Sequence, residues 1–220
     1  KIDDTYSLLG EYQFSNGFEP FYGVNNRNNP QDVKNVFGYQ YITRTGVKRQ
    51  HDRNYSTTAY IPFFYWDPDH RRNDESHKQL LPLRTHYGLE LANIYDHTVK
   101  KARLTTGWSL RHDIHYHAIP NDLLRTEMDL KYYFPFSTNV GLAFSTKGGL
   151  SYGKRDYFDN FRLGGTARLR GYLKNRFTGA HFVLQQSEIR FPLPVKDLYG
   201  VGFVDVGEIF NPYENAFLKY

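Results

Sequence analysis

The chain has 220 residues, 40% hydrophobic and 17% aromatic, with 19 Tyr and 17 Phe; it holds no run of about 18 apolar residues, which excludes membrane helices but not membrane strands, whose alternating faces average out as polar. The net charge of +5, from 28 basic and 23 acidic residues, is spread along the chain rather than gathered on one stripe, so no nucleic-acid partner is expected. Cysteine is absent, which removes disulfide frameworks and thiolate metal sites.

The N-terminal "KIDDTYSLLG" has no charged-then-apolar export pattern, so any signal is expected to have been removed or to lie outside this chain. Period-two alternation then dominates. Weaker versions at 5–15, 36–48 and 55–67 predict three strands. In 85–96, Tyr87, Leu89, Leu91 and Tyr95 alternate with His86, Glu90 and Asp96. Segment 101–117 sets Ala102, Leu104, Trp108, Leu110, Ile114 and Tyr116 against Lys101, Arg103, Ser109, Arg111, Asp113, His115 and His117. In 123–136, Leu124, Thr126, Met128, Leu130, Tyr132, Phe134 and Phe136 oppose Arg125, Glu127, Asp129 and Lys131, and 139–152 repeats the pattern with Val140, Leu142, Phe144 and Leu150. Two further strands are predicted at 180–193 and 198–210.

A soluble sandwich would also alternate, so strand length and loops decide the solvent. The segments run to about 12–15 residues, beyond the usual mode of about 5–6, while a tilted membrane strand needs about 9–11. Short connections at 49–54, 97–100, 137–138 and 194–197 separate 16–35, 68–84, 118–122 and 153–179, three of which are long and polar. Outer-membrane barrels have such short periplasmic turns and long extracellular loops. The expectation is an all-β, antiparallel transmembrane β-barrel. Leu104, Leu110, Leu124, Met128, Leu130, Leu142 and Phe144 face the lipid and the charged face lines the lumen.

"RHDIHYH" at 111–117 puts Asp113, His115 and His117 on one strand face. Imidazole and carboxylate suit divalent ions, but ligation would need a further element, and a polar lumen wall is the favoured reading; neither metal nor cofactor is expected. His112, on the apolar face, raises a lipolytic barrel enzyme, but no serine lies beside it on its own strand at 110 or 114. The glycines of "STKGGLSYGK" lack phosphate-loop spacing and read as a bend or close packing.

The stretch "FRLGGTARLRGY" at 161–172 carries three arginines and three glycines. Gly164, Gly165 and Gly171 permit positive-φ turns, and Arg170 offers a planar fork suited to a carboxylate; Arg162 and Arg168 are expected to be solvated. "LGG", "LRGY", "SEIRFPLP" and "GFVDVG", in this order, resemble the outer membrane protein 85 superfamily of BamA-type assembly factors and two-partner secretion transporters. The resemblance is clearest over 120–210. It implies an integral barrel of the bacterial outer membrane, in contact with its lipids, that inserts or translocates client proteins or works with complex partners. A structural barrel anchoring a larger complex is the alternative.

The resemblance also implies that the Arg-Gly-Tyr element, Arg170, Gly171 and Tyr172, lies in the sixth extracellular loop at 153–179, and that Arg170 reaches into the lumen to Asp205, with Glu188 a second acceptor. Asp205 stands alone among apolar neighbours on its strand, and a lipid-facing charge is costly, so it should point inward. The family barrel has sixteen strands, of which about nine are visible in 1–220. The whole chain is therefore expected to be a barrel segment with no periplasmic domain.

Overall fold

The computed structural model describes residues 5–21, 34–69, 73, 83–101, 104–119, 122–155, 159–195 and 198–211. Twelve strands follow in chain order among them: β1 (Thr5–Phe21), β2 (Lys34–Gln50), β3 (Tyr55–Pro68), β4 (Arg84–Asp96), β5 (Val99–Lys101), β6 (Leu104–Ile119), β7 (Leu123–Pro135), β8 (Gly141–Gly153), β9 (Phe161–Leu163), β10 (Phe177–Gly179), β11 (His181–Pro192) and β12 (Tyr199–Phe210). One antiparallel sheet runs β1-β2-β3-β4-β6-β7-β8-β11-β12, with β5 paired to β6, while β9 and β10 form a separate hairpin. The sheet is open among the described residues, with β1 and β12 at its edges.

Register enforces the two faces that alternation predicts, because one strand's apolar positions pair with the next strand's. Leu91 pairs with Ile114, Ile114 with Thr126 and Thr126 with Leu150 on one face; Glu90 pairs with His115, and His115 with Arg125, on the other. The first face exposes Leu89, Leu124, Met128, Leu130, Tyr132 and Phe144. Rings gather near its two ends. Tyr55 stacks on Tyr95 at 4.3 Å and His97 on Trp108 at 4.7 Å, and at the other end Phe14, Tyr41 and Tyr65 form a row with Phe63 against Tyr87 nearby. Such girdles mark the two interfaces of a membrane barrel.

The second face is a ladder of charges that neutralise one another across strands. Arg44 bridges Glu11 and Glu90, His115 reaches Glu90, and Asp129 meets Lys131 and Lys147. On the side of the short connections, polar side chains close the turns: Asp52 Oδ1 accepts from the Asn54 and Tyr55 amides at 2.7 and 2.8 Å, and Asp96 Oδ1 accepts from the Thr98 amide at 2.9 Å. These are the local bonds that suit Asp to turns.

Three expectations need correction. Strands β1 and β2 run on to Phe21 and back from Lys34, paired throughout, so the connection expected at 16–35 is shorter than its polar composition suggests. The turn after β4 is lengthened by β5, which pairs with the start of β6. The segment 153–179, expected as a connection, contains the two short strands β9 and β10. The polar stretches 22–33 and 74–82, with Ala102 and Arg103, lie outside the described residues.

Candidate functional site: a loop held against the lumen wall

The β9/β10 hairpin lies on the charged face of the sheet and supplies the only substantial apolar core among the described residues. Phe161, Leu163 and Leu169 pack with Phe182 and Leu184 of β11, all at most 5% exposed, with Phe177 and Ile209 alongside. Room for the hairpin comes from Gly149 on β8: a Cβ there would fall 2.5 Å from Phe161 Cζ and 2.5 Å from Phe182 Cε1. Of the two "KGGL" glycines, Gly149 thus serves close packing, while a Cβ on Gly148 would meet only the Phe182 carbonyl oxygen at an ordinary 3.7 Å. The other face of Phe161 is covered by the Arg125 guanidinium, 3.9 Å from the ring centroid.

Between β9 and β10 the chain makes tight turns. Gly164, Gly165 and Gly171 have φ of 110°, 90° and 89°, which a side chain would strain. Gly164 is also closed in, since a Cβ would sit 2.2 Å from the Leu173 carbonyl oxygen. The Gly165 amide donates to the Tyr172 carbonyl at 3.0 Å, and the half-exposed Tyr172 ring meets Phe177 edge-on at 5.1 Å. These bonds aim the residues between them at the wall.

Arg170 then binds two strands at once. Its Nε donates to Asp205 Oδ2 at 2.7 Å and its Nη2 to Asp205 Oδ1 at 2.5 Å, a bidentate fork, while its backbone amide donates to Asp205 Oδ2 at 2.9 Å. Nη1 donates to Glu188 Oε1 at 2.5 Å. The guanidinium lies over the Phe203 ring at 3.9 Å. The Asp205 side chain is 2% exposed and that of Arg170 16%, so water is largely excluded from the fork. The two acceptors inferred as alternatives are used together, Asp205 on β12 and Glu188 on β11. Gln186 Nε2 adds a bond to the Arg168 carbonyl at 2.6 Å.

Arg168 is not the solvated residue expected. Its Nη2 donates to Glu127 Oε1 of β7 at 3.0 Å, and its guanidinium lies 5.3 Å from the Phe182 centroid. The loop is therefore tied to β7 as well as to β11 and β12. Arg162 is half-buried at a cavity that it lines with Arg125, Glu127 and Asp159, rather than in open solvent.

The strand cluster of the "RHDIHYH" segment is divided among partners. Asp113 accepts from Arg111 Nε at 2.6 Å, His115 Nδ1 lies 3.1 Å from Glu90, and His117 turns to Asp159. On the outward face, His112 Nε2 lies 2.9 Å from Thr126 Oγ1 on the neighbouring strand. A cross-strand hydroxyl thus satisfies His112. Its in-register neighbour Asn93 directs Oδ1 to Thr57 and Tyr55.

Residues 7–217 match the model of the Omp85 superfamily domain. No curated protein matches the chain. Among solved structures, it is similar to BamA from Haemophilus ducreyi lacking POTRA domains 1-3, at 15% identity and a TM-score of 0.62, over 95% of this chain and 50% of that one. It is similar also to CdiB from Acinetobacter baumannii, at 14% identity and a TM-score of 0.59, over 94% of this chain and 38% of that one. The chain spans half or less of the length of these relatives, and at such identities the likeness is one of fold. With the family model covering nearly all of the sequence, the chain belongs to the Omp85 superfamily and is an integral β-barrel of the bacterial outer membrane.

Proposed function

We propose that this barrel acts in inserting proteins into the outer membrane or moving them across it, and that Arg170, Asp205 and Glu188 lock its inward-folded loop in place. The segment 153–179 is the counterpart of the family's sixth extracellular loop, and residues 1–220 form a barrel segment throughout. The observation that carries the reading is a loop arginine shared between carboxylates of two adjacent strands, on the charged face of an Omp85 barrel. A pore that handles polypeptide needs a polar wall and a plug with a definite seat, and the ladder of charges and the hairpin supply both. The reading involves no catalytic step.

The test is complementation in cells depleted of the complete protein, scored by the outer-membrane and secreted protein profiles. Unaltered protein should restore the profile, and Arg170→Ala, present at normal level in the membrane, should not. Restoration by Arg170→Ala would remove the lock from the function. Depletion that leaves both profiles unchanged while a membrane complex falls apart would favour the structural-anchor reading.

A further inference from the structure

A second cluster lies on the charged face of the sheet, built from residues other than those of the Arg170 fork. His86 of β4, His117 of β6 and Asp159, just before β9, bring one potential ligand atom each to within 4.8 Å of one another. His86 Nδ1 is 3.5 Å and His117 Nδ1 3.4 Å from Asp159 Oδ1. The two imidazoles cross nearly at right angles, 5.4 Å between centroids. The side chains are 7%, 20% and 2% exposed respectively.

The two His–Asp separations are long for hydrogen bonds, which centre near about 2.9 Å, but match the spacing of ligands on a shared ion. Ligands about 2.1 Å from a tetrahedral zinc ion stand about 3.4 Å apart. His117 Nδ1 is shut off from solvent and makes no hydrogen bond among the described residues. Local backbone geometry favours the convergence. A register shift between Tyr87 and Gly88 leaves Gly88 opposite His117, and a Cβ on Gly88 would collide with the Tyr116 carbonyl oxygen at 2.0 Å. Bulges of this kind re-aim side chains beside functional sites. A cavity of about 370 Å³, lined by Glu90, His115, Arg125 and Glu127 among others, adjoins the cluster and gives an ion access to water.

We infer that His86, His117 and Asp159 form a zinc(II) site, with the fourth position taken by water from the cavity. Two imidazoles and one carboxylate are a borderline donor set that zinc accepts, and three protein ligands plus water is a coordination that zinc adopts. The ligands come from two wall strands and the foot of the loop, so the ion would pin the hairpin to β4 and β6 as Arg170 pins it to β11 and β12. This site stands whether or not the translocation reading does.

Isothermal titration of the full chain in detergent micelles with zinc chloride tests the inference. One zinc per chain, bound in the micromolar range or tighter, is expected. Asp159→Asn and His117→Ala should each weaken it about tenfold or more, as even loss of an outer-shell partner typically does, and His115→Ala should leave it unchanged. On the unaltered chain, zinc should protect His86 and His117, but not His115, from carbethoxylation, and the zinc absorption edge should report two imidazole nitrogens. These two readouts decide the matter even where a variant does not fold. No saturable binding, binding indifferent to Asp159, or protection of His115 in place of His117 would overturn the site.

Discussion

Asp205 is a carboxylate with 2% of its side chain exposed, and it is tolerable there only because three donors of Arg170 reach it. Removing one partner of a buried pair strands the other charge and costs about 3–5 kcal/mol. Arg170→Ala should therefore destabilise the folded barrel by that amount in a urea titration in lipid. Arg170→Lys should recover only part, because an ammonium cannot span both oxygens of Asp205 and also reach Glu188. Arg168→Ala, which removes a partly buried pair with Glu127, 31% and 18% exposed, should cost less, about 1 kcal/mol. A cost for Arg168→Ala equal to that for Arg170→Ala would contradict this ordering. The sequence made Asp205 conspicuous, as a single acid on an apolar strand. It could not distinguish Arg168 from a solvated arginine, because its acceptor lies 41 residues away and nothing local signals it.

At the scale of elements, the long strands were legible from alternation, since each buries one pattern and exposes the other along its whole length. The β9/β10 hairpin was not. Its strands are three residues each, too short for a period to emerge, and it is held by Phe161 and Leu163 docking onto a surface that the chain builds elsewhere. The one trace was Gly149, readable as a close-packing glycine but without its visitor. Gly149→Val should fill the seat of Phe161, costing about 1–3 kcal/mol as overpacking does, and should loosen the hairpin without dissolving the sheet. Limited trypsin digestion checks this: cleavage after exposed Lys174 should be faster in the variant, with the heat-modifiable gel shift of the barrel retained. Unchanged cleavage would mean that the hairpin is held by its arginines alone.

For the whole molecule, the two faces of the sheet must meet different solvents. Leu130 is 45% exposed on the outward face, while the adjacent Asp129 bonds Ser145 and two lysines on the inner face. Leu130→Arg should cost about 2–4 kcal/mol in a bilayer if near the midplane, and more than Asp129→Asn. Equal sensitivity would describe a sheet buried alike on both sides. Orientation follows from loop length: cysteine placed at Asn28 should react with an impermeant reagent on intact cells, and cysteine at Thr138, in the short turn after β7, should not. The reverse pattern would invert the barrel. The central claim is that the loop is fastened to the lumen wall through Arg170, and a double-mutant cycle of Arg170→Ala and Asp205→Ala, measured by folding free energy in lipid, tests it most directly. The expected result is a coupling well above about 0.5 kcal/mol, with the double variant more stable than the sum of the two single effects predicts; effects that add to within about 0.5 kcal/mol, as independent sites do, would contradict it.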